Sequence, residues 1–325
     1  MNSNEKNNTL IKVENLSKTF ELQAGFFSRK DKQVFAVNNI SFKICRGETY
    51  GIVGESGCGK TTTARLLIKM YPATSGNIFY YKDDGTVLNV SELNKKESKL
   101  YQEKVKYVFQ DPAKSLNPRM NVQSIITDGL KYSSKKISKE ESYELAEKII
   151  QDVGLKPEDL HKRPSEFSGG QRQRISIARG LILEPELLIC DEVVSALDVS
   201  IQAQILNLLT DLRRTRNLSF LFITHDLRVA CFFCDKIGVM YRGVLVEEAP
   251  AATLYKNAVH PYTKLLFEAA TGFTSSSSVE VKTTLQKETG CPFAHRCSRA
   301  EKKCFESCPE LKTINENHLV RCFNA

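Results

Sequence analysis

The apolar positions of this chain fall into short continuous runs that are separated by longer amphipathic segments. Residues 187–190 and 219–224 are runs of the kind expected for parallel strands buried on both faces of a sheet. Residues 11–53 are predicted to form several short strands, and residues 137–153 have the period of an amphipathic helix. Strands that alternate with helices in this way predict an α/β fold with a mostly parallel sheet.

The composition limits the class of protein. The 325 residues are 41% hydrophobic and 26% charged, which suits one large domain or two smaller ones. No run of about eighteen apolar residues occurs, and the polar segment 1–8 lacks the apolar centre of a signal peptide. We therefore expect the protein to stay in the cytoplasm and to meet a membrane only through a partner. The net charge of +8 is dispersed, without the basic stretch with interleaved aromatic residues that favours nucleic acid.

A glycine-rich loop gives the first chemical signal. Residues 54–61 match the pattern GxxxxGK[ST] between a predicted strand and a helix predicted from Lys60. Glycines let several backbone N–H groups face one anion, and the start of a helix adds its positive dipole end. Lys60 would reach the β- and γ-phosphates of a nucleotide, and the Thr61 hydroxyl would ligate Mg²⁺. The candidate cofactor-binding residues here are Gly54, Glu55, Ser56, Gly57, Cys58, Gly59, Lys60, Thr61 and Thr62.

Two acidic residues follow the apolar run 187–190. Asp191 and Glu192 would lie at the carboxyl end of a buried parallel strand, which is where ligands bind in such sheets. We expect Asp191 to hold Mg²⁺ through water and Glu192 to polarise an attacking water molecule. With the phosphate loop, these acids predict a nucleotide hydrolase.

A second glycine-rich segment narrows the class. Ser168, Gly169, Gly170 and Gln171 open a predicted helix ahead of the strand at residues 187–190. A helix start offers backbone N–H groups and a hydroxyl to an anion, and the chain already has one phosphate loop. This second donor set would therefore serve the ATP of a partner. The segment resembles the signature of ABC ATPases, a family in which two domains face head to tail and sandwich two nucleotides.

The resemblance to ABC ATPases continues at further positions in the same order. Gln110 resembles the Q-loop glutamine, which contacts Mg²⁺ and water and senses the membrane subunit. Asp198 resembles the D-loop aspartate, which acts across the dimer, and His225 resembles the switch histidine, which contacts the γ-phosphate. Phe20 resembles the aromatic residue that stacks on adenine, and Phe35 is the other candidate.

The same resemblance implies a mechanism that uses ATP and Mg²⁺. ATP closes the dimer because the signature of one domain bridges the γ-phosphate of the other, and hydrolysis reopens it. The catalytic residues implied are Glu192 as base, with His225, Gln110 and Lys60, and the Mg²⁺ ligands implied are Thr61, Gln110 and Asp191. Val193 stands where the family usually has proline, and we expect a small effect because proline mainly stiffens that loop.

Two further segments resemble one family of importers. Residues 110–120 look like the Q-loop region of the oligopeptide, dipeptide and nickel importer ATPases, which accepts the coupling helix of the membrane subunit. Residues 260–266 resemble the motif that opens the C-terminal extension of that family. The resemblance implies an ATPase subunit that energises import of oligopeptides or dipeptides. Importers of nickel, glutathione or sugar are the alternatives.

Five of the ten cysteines lie near the C-terminus, which in a cytosolic protein favours metal or cluster ligation over disulfides. Cys291, Cys297, Cys304 and Cys322 have a spacing similar to the family tail, where four cysteines can hold an iron–sulfur cluster. Four thiolates suit iron–sulfur or zinc equally well. A 4Fe–4S cluster, zinc and no metal all stay open, and Cys308 lies outside the pattern.

The architecture expected is a P-loop NTPase ABC domain over residues 1–270, with a RecA-like core, an antiparallel β subdomain and a helical signature subdomain. A linker rich in Ser, Thr and charged residues is expected over residues 271–290, and a short Cys-rich extension over residues 291–325.

The partners implied by the family are two transmembrane permease subunits, a second homologous ATPase subunit in a heterodimer and, indirectly, an extracytoplasmic substrate-binding protein. The expected location is the cytoplasmic face of the cell membrane, as a peripheral subunit, without nucleic acid. The rival interpretation is an ABC ATPase that acts on DNA or ribosomes. It is disfavoured because the sequence has one ATPase domain and no coiled-coil heptads.

Overall fold

The computed structural model describes residues 8–22, 32–134, 136–271, 289–315 and 317–325. Nearly all of the linker expected at residues 271–290 lies outside the described residues, as do residues 1–7 of the polar N-terminus.

The described chain forms two units. The first comprises Met1–Ile44, Thr49–Ser91 and Phe222–Ala325, and the second comprises Cys45–Glu48 and Glu92–Leu221. The extension expected at the C-terminus is therefore part of the first unit.

The secondary structure alternates between strands and helices along the chain. The strands of the described residues are β1 (Thr9–Leu22), β2 (Lys32–Cys45), β3 (Thr49–Val53), β4 (Ser75–Tyr81), β5 (Val87–Asn89), β6 (Val105–Val108), β7 (Leu187–Asp191), β8 (Ser219–Thr224), β9 (Lys236–Tyr241), β10 (Val244–Pro250), β11 (Lys312–Asn315) and β12 (His318–Val320). The helices are α1 (Lys60–Leu67), α2 (Lys95–Lys104), α3 (Pro112–Ser115), α4 (Val122–Thr127), α5 (Lys139–Asp152), α6 (Gly169–Leu181), α7 (Val199–Arg216), α8 (Leu227–Phe233), α9 (Ala251–Asn257), α10 (Pro261–Thr271) and α11 (Lys302–Glu306).

The first unit contains an antiparallel sheet in the order β2-β1-β4-β5. β1 pairs with β4 through Ile11 opposite Tyr80 and Val13 opposite Ile78, and all four side chains are buried. Buried residues alternate with partly exposed ones over residues 11–14 and 78–81, because successive side chains of a strand point to opposite faces.

A second set of strands in the first unit has the order β11-β12-β10-β9-β3. β3 pairs in parallel with β9, and β9, β10, β12 and β11 are joined by antiparallel pairs. All five residues of β3 are buried, which puts the phosphate loop at the end of a fully covered strand. β12 comes from the C-terminal extension, so the extension contributes directly to the sheet.

The second unit pairs β6 in parallel with β7, and α4, α5 and α6 pack together by their apolar faces. Ile126, Ile150 and Ile175 are fully buried, and each such burial stabilises the fold by about 1.5–3 kcal/mol relative to exposure. The capping box of α6, between Ser168 and Gln171, fixes where this helix begins. Across the described chain, the helices lack the combination of length and apolar composition that a bilayer span requires.

Candidate functional site

The phosphate loop connects β3 to α1 in the first unit. The Lys60 side chain is almost completely buried, and its Nζ donates hydrogen bonds to the carbonyl oxygens of Gly54 at 2.7 Å and Glu55 at 3.0 Å. The ammonium group is therefore held against the loop by backbone acceptors. The arrangement fixes one positive charge beside the start of α1, where backbone N–H groups also favour an anion.

Two glycines of the loop are required by its packing. A Cβ atom at Gly54 would lie 2.1 Å from the carbonyl oxygen of Met240, and one at Gly59 would lie 2.2 Å from that of Ala36. Gly59 also has a φ of 110°, which side chains disfavour, and it caps the start of α1. A larger residue at either position would displace the loop.

The first unit also carries the adenine-stacking candidates and the histidine. The Phe20 ring meets Tyr71 edge-on at 5.4 Å, and the Lys18 ammonium lies 5.0 Å from its centroid. Phe20 and Phe35 are both partly exposed, so both remain candidates for stacking. His225 is exposed directly after β8, at the carboxyl end of that strand.

The second unit brings Gln110 and Glu192 together. The Gln110 Nε2 donates to Glu192 Oε2 at 2.7 Å, which joins the Q-loop candidate to the proposed base. Glu192 has a φ of 50°, in the left-handed region, which costs a side-chain-bearing residue about 1–2 kcal/mol. The N–H and Oγ of Ser195 both donate to the Glu192 carbonyl, and these bonds hold the turn. Strain of this kind clusters at functional sites.

Asp191 has a partner that the sequence did not reveal. It is 2% exposed at the end of β7, and the hydroxyl of Tyr107 on β6 donates a short hydrogen bond to its carboxylate. Register explains the contact, because the parallel pair places Tyr107 opposite Ile189, near the end of β7. The position of Tyr107 three residues before Gln110 was the available signal. Val193, in the position where proline was expected, is buried and packs in the core.

The signature segment forms the exposed start of α6. The Ser168 Oγ accepts a hydrogen bond from the Gln171 N–H at 3.3 Å, and Gln171 Oε1 accepts one from the Ser168 N–H at 2.9 Å. Gly170 packs against α7, since a Cβ there would lie 2.7 Å from Cγ2 of Ile201. Asp198, the D-loop candidate, is exposed and occupies the N-cap position of α7, without a capping hydrogen bond from its side chain.

The C-terminal extension reaches the phosphate loop within the first unit. Arg296 makes two parallel hydrogen bonds to Glu55, with Nη1 to Oε2 at 2.9 Å and Nη2 to Oε1 at 3.0 Å. The hydroxyl oxygen of Tyr262 accepts a hydrogen bond from the Glu55 N–H at 2.9 Å. The hydrogen bond to Glu55 raises the pKa of Arg296. These contacts were not predicted from the sequence.

The cysteine-rich tail does not form a ready metal site. Among the described residues, no group of three or more His, Cys, Asp or Glu side chains is arranged to hold a metal ion. Burial, with smaller contributions from Cys308, Cys304 and Cys322, raises the pKa of the Cys291 thiol to about 11. These thiols are close enough to influence one another, but as placed they do not fit a metal or cluster.

Comparisons with known proteins identify two families that match different parts of the chain. Residues 37–195 match the ABC transporter family, and residues 246–304 match the C-terminal region of oligopeptide/dipeptide transporters. The oligopeptide transport ATP-binding protein AppF of Bacillus subtilis (strain 168) is 42% identical over 97% of this chain and 97% of its own length. The dipeptide transport ATP-binding protein DppF of Haemophilus influenzae (strain ATCC 51907 / DSM 11121 / KW20 / Rd) is 39% identical over 99% of each chain.

Solved structures agree with these sequence matches. A dimeric post-hydrolysis structure of the ATP-binding cassette MJ0796, bound to ADP and Pi, has a TM-score of 0.63 and 26% identity. The match covers 74% of this chain and 99% of that one.

The fold, together with the phosphate loop and the signature segment at the start of α6, defines an ATPase of the ABC class. The predicted fold is confirmed. More narrowly, the chain belongs to the family of oligopeptide and dipeptide transport ATP-binding proteins.

Proposed function

We propose that this ABC ATPase energises an importer of oligopeptides or dipeptides. The observation that carries the proposal is the match to peptide-transport ATP-binding proteins at about 40% identity over nearly the whole chain, including the C-terminal region at residues 246–304. The catalytic domain alone would support only the ABC class, because its motifs serve many cargoes.

The proposed roles of the site residues follow from the chemistry of phosphoryl transfer. Lys60 binds the β- and γ-phosphates, and Thr61, Asp191 and Gln110 hold Mg²⁺ directly or through water. When bound there, Mg²⁺ would supply positive charge beside the transferred phosphate. Glu192 accepts the proton of the attacking water, and the remaining catalytic residue proposed is His225, which stabilises the γ-phosphate.

The proposed nucleotide-binding set is wider than these catalytic residues. It comprises Gly54, Glu55, Ser56, Gly57, Cys58, Gly59, Lys60, Thr61, Thr62, Phe20, Gln110, Asp191, Ser168, Gly169, Gly170, Gln171 and Asp198. The hydrogen bond between Gln110 and Glu192 supports a shared task for the Q-loop and the base.

The assembly we propose contains two transmembrane permeases and a second, homologous ATPase subunit. Exposure of Ser168, Gly169 and Asp198 supports an interface with that second subunit, because these polar groups are available to a nucleotide held elsewhere. Such an assembly would hold this chain at the cytoplasmic face of the membrane and receive cargo from an extracytoplasmic binding protein.

Whether the tail ligates iron–sulfur or zinc stays a proposal, and the candidate ligands are Cys291, Cys297, Cys304 and Cys322. The spacing of these cysteines supports ligation, whereas the thiol arrangement described above argues against it. Analysis of iron, acid-labile sulfide and zinc in protein purified without oxygen tests it. One equivalent of cluster or zinc, lost when the four cysteines are replaced by serine, would support ligation. A metal-free protein that still binds ATP would end the proposal.

Peptide uptake by cells or vesicles that contain the full transporter tests the function. We expect labelled dipeptides or oligopeptides to enter, and Glu192→Gln to abolish uptake while ATP still binds, because the amide cannot accept the proton. Glu144→Gln, on the exposed face of α5, is the matched control and should leave uptake unchanged. Uptake of nickel or sugar instead of peptide would contradict the proposal that peptides are the cargo. Normal uptake by Glu192→Gln would refute the role of Glu192 as base.

A further inference from the structure

The phosphate loop contains an acidic side chain next to its anion-binding groups. Glu55 is the second residue of the loop, and its own carbonyl oxygen accepts a hydrogen bond from Lys60 Nζ at 3.0 Å. A free carboxylate at this position would repel the triphosphate of ATP, because like charges at close range disfavour binding. Some other group must offset this charge if the loop is to bind nucleotide well.

The guanidinium of Arg296 supplies the opposite charge from the C-terminal extension. Its two terminal nitrogens, Nη1 and Nη2, donate to both carboxylate oxygens of Glu55 at 2.9 and 3.0 Å, the fork geometry in which arginine binds carboxylates most strongly. The Glu55 and Arg296 side chains are 27% and 25% exposed, so water screens the pair only in part.

Aromatic side chains hold Arg296 in place. Its guanidinium lies 5.7 Å from the centroid of the Phe293 ring and 5.8 Å from that of Tyr241, within the range of cation–π attraction. Phe293 is 2% exposed and packs against Tyr262 at 5.4 Å. The same aromatic group therefore fixes Arg296 and the tyrosine that accepts the Glu55 N–H.

We propose that Arg296 is a positioning residue for ATP binding, which acts by neutralising Glu55 beside the phosphate site. The inference rests on the proposed role of the loop in binding ATP. It makes the nucleotide affinity of the ATPase depend on a residue of the C-terminal extension. The competing explanation is a mechanical tether, in which the pair only holds the extension against the loop.

A double-mutant cycle on the full-length chain separates charge neutralisation from tethering. The measurement is the Kd for a fluorescent ATP analogue with Mg²⁺. Arg296→Ala should weaken binding by about threefold to tenfold, the range expected for one partly exposed charge. Glu55→Gln keeps the backbone groups of the loop and leaves the Arg296 charge without its partner, so this variant should bind ATP more tightly than the wild type. The double variant should return to within about twofold of the wild type. A double variant as weak as Arg296→Ala would show a tether and overturn the proposal.

Further variants test whether the effect of Arg296 on ATP binding comes from its charge. Arg296→Lys should keep most of the affinity, and the weakening in Arg296→Ala should shrink as salt rises from about 0.05 to 0.5 M, because salt screens partly exposed charges. Arg299→Ala, in the same extension but bound to the Asn324 carbonyl, should leave Kd unchanged. If Arg296→Ala does not fold, Glu55→Gln alone decides, since weaker ATP binding by that variant contradicts the proposal.

A failure of the proposed ATP site would give different results from a failure of the role proposed for Arg296. A wild-type protein that does not bind ATP, or a Lys60→Ala variant that binds as tightly as the wild type, would remove the site itself. Tight binding by the wild type with an unchanged Kd in Arg296→Ala would remove only the role of Arg296.

Discussion

Acidification should destabilise the junction where the C-terminal region begins, through His260. The side chain of this histidine is 1% exposed, and its Nδ1 accepts a hydrogen bond from the Tyr262 N–H at 3.1 Å. The backbone N–H of His260 donates to Oε2 of Glu247 at 3.0 Å, and the other titratable side chain beside Glu247 is His318, whose Nε2 lies 2.8 Å from Oε1. Burial lowers the pKa of His260 to about 4. A proton on Nδ1 would remove the acceptor that Tyr262 uses.

The sign of the effect follows from proton linkage. In the unfolded chain His260 titrates near its ordinary pKa of about 6.5, so between about pH 6.5 and 4 the unfolded state binds more protons than the folded state. The free energy of unfolding therefore falls as the pH falls through this window. The loss is about 1.4 kcal/mol per pH unit at most, and about 3 kcal/mol over the whole window.

Urea unfolding at a series of pH values between 7.5 and 4.5 measures this loss. The control is His260→Asn, because the asparagine Oδ1 can still accept from Tyr262 but has no proton to gain. Carboxylates titrate in both proteins, so only the difference between the two curves reports on His260. We expect the wild type to lose about 2–3 kcal/mol more than the variant on acidification. Parallel curves for the two proteins would refute the reasoning.

Two substitutions test contacts within the second unit. Tyr107→Phe should lower the free energy of unfolding by about 1–3 kcal/mol, because the buried Asp191 side chain loses a hydroxyl donor. The control is Tyr132→Phe, at a tyrosine that is 71% exposed, which should change this free energy by less than about 0.5 kcal/mol. Equal effects of the two substitutions would contradict the role of the Tyr107 hydroxyl. Gly170→Ala should lower the melting temperature, because the added Cβ would lie 2.7 Å from Ile201 Cγ2 and should destabilise the fold by about 1–3 kcal/mol. The same variant should weaken nucleotide-driven association. An unchanged melting temperature would show that α6 and α7 accommodate the methyl group without cost.

The strands that were predicted best are those with continuous apolar runs. β8 covers residues 219–224 as predicted, and β7 is one residue longer than predicted because it includes the buried Asp191. The region 11–53 was predicted as several short strands, but β1 and β2 are each 14 residues long. Asn15 and Asn39 interrupt their alternation with φ near 50°, and the register of β1 shifts between Glu14 and Ser17. Local irregularities of this kind hide a long strand from a pattern of period two.

The motifs located the candidate site, but the contacts that support it were not visible in the sequence. Arg296 and Glu55 are 241 residues apart, and Tyr107 and Asp191 are 84 apart. Pairing across such separations depends on sheet register and on aromatic packing, which no local pattern encodes. The same reason explains why the cysteine spacing suggested a metal site that the thiol arrangement does not support.

The pairing of β12 with β10 has a consequence for shortened forms of the protein. Residues 319 and 320 pair with Glu248 and Glu247, so the tail covers one side of β10. A chain cut before His318 would leave the backbone N–H and C=O groups on that side of β10 without partners. It would also remove the His318 imidazole that contacts Glu247, a fully buried residue. An uncovered strand of this kind invites pairing with other molecules. Truncated forms should therefore precipitate or form fibrils, whereas a tag added after Ala325 should be tolerated.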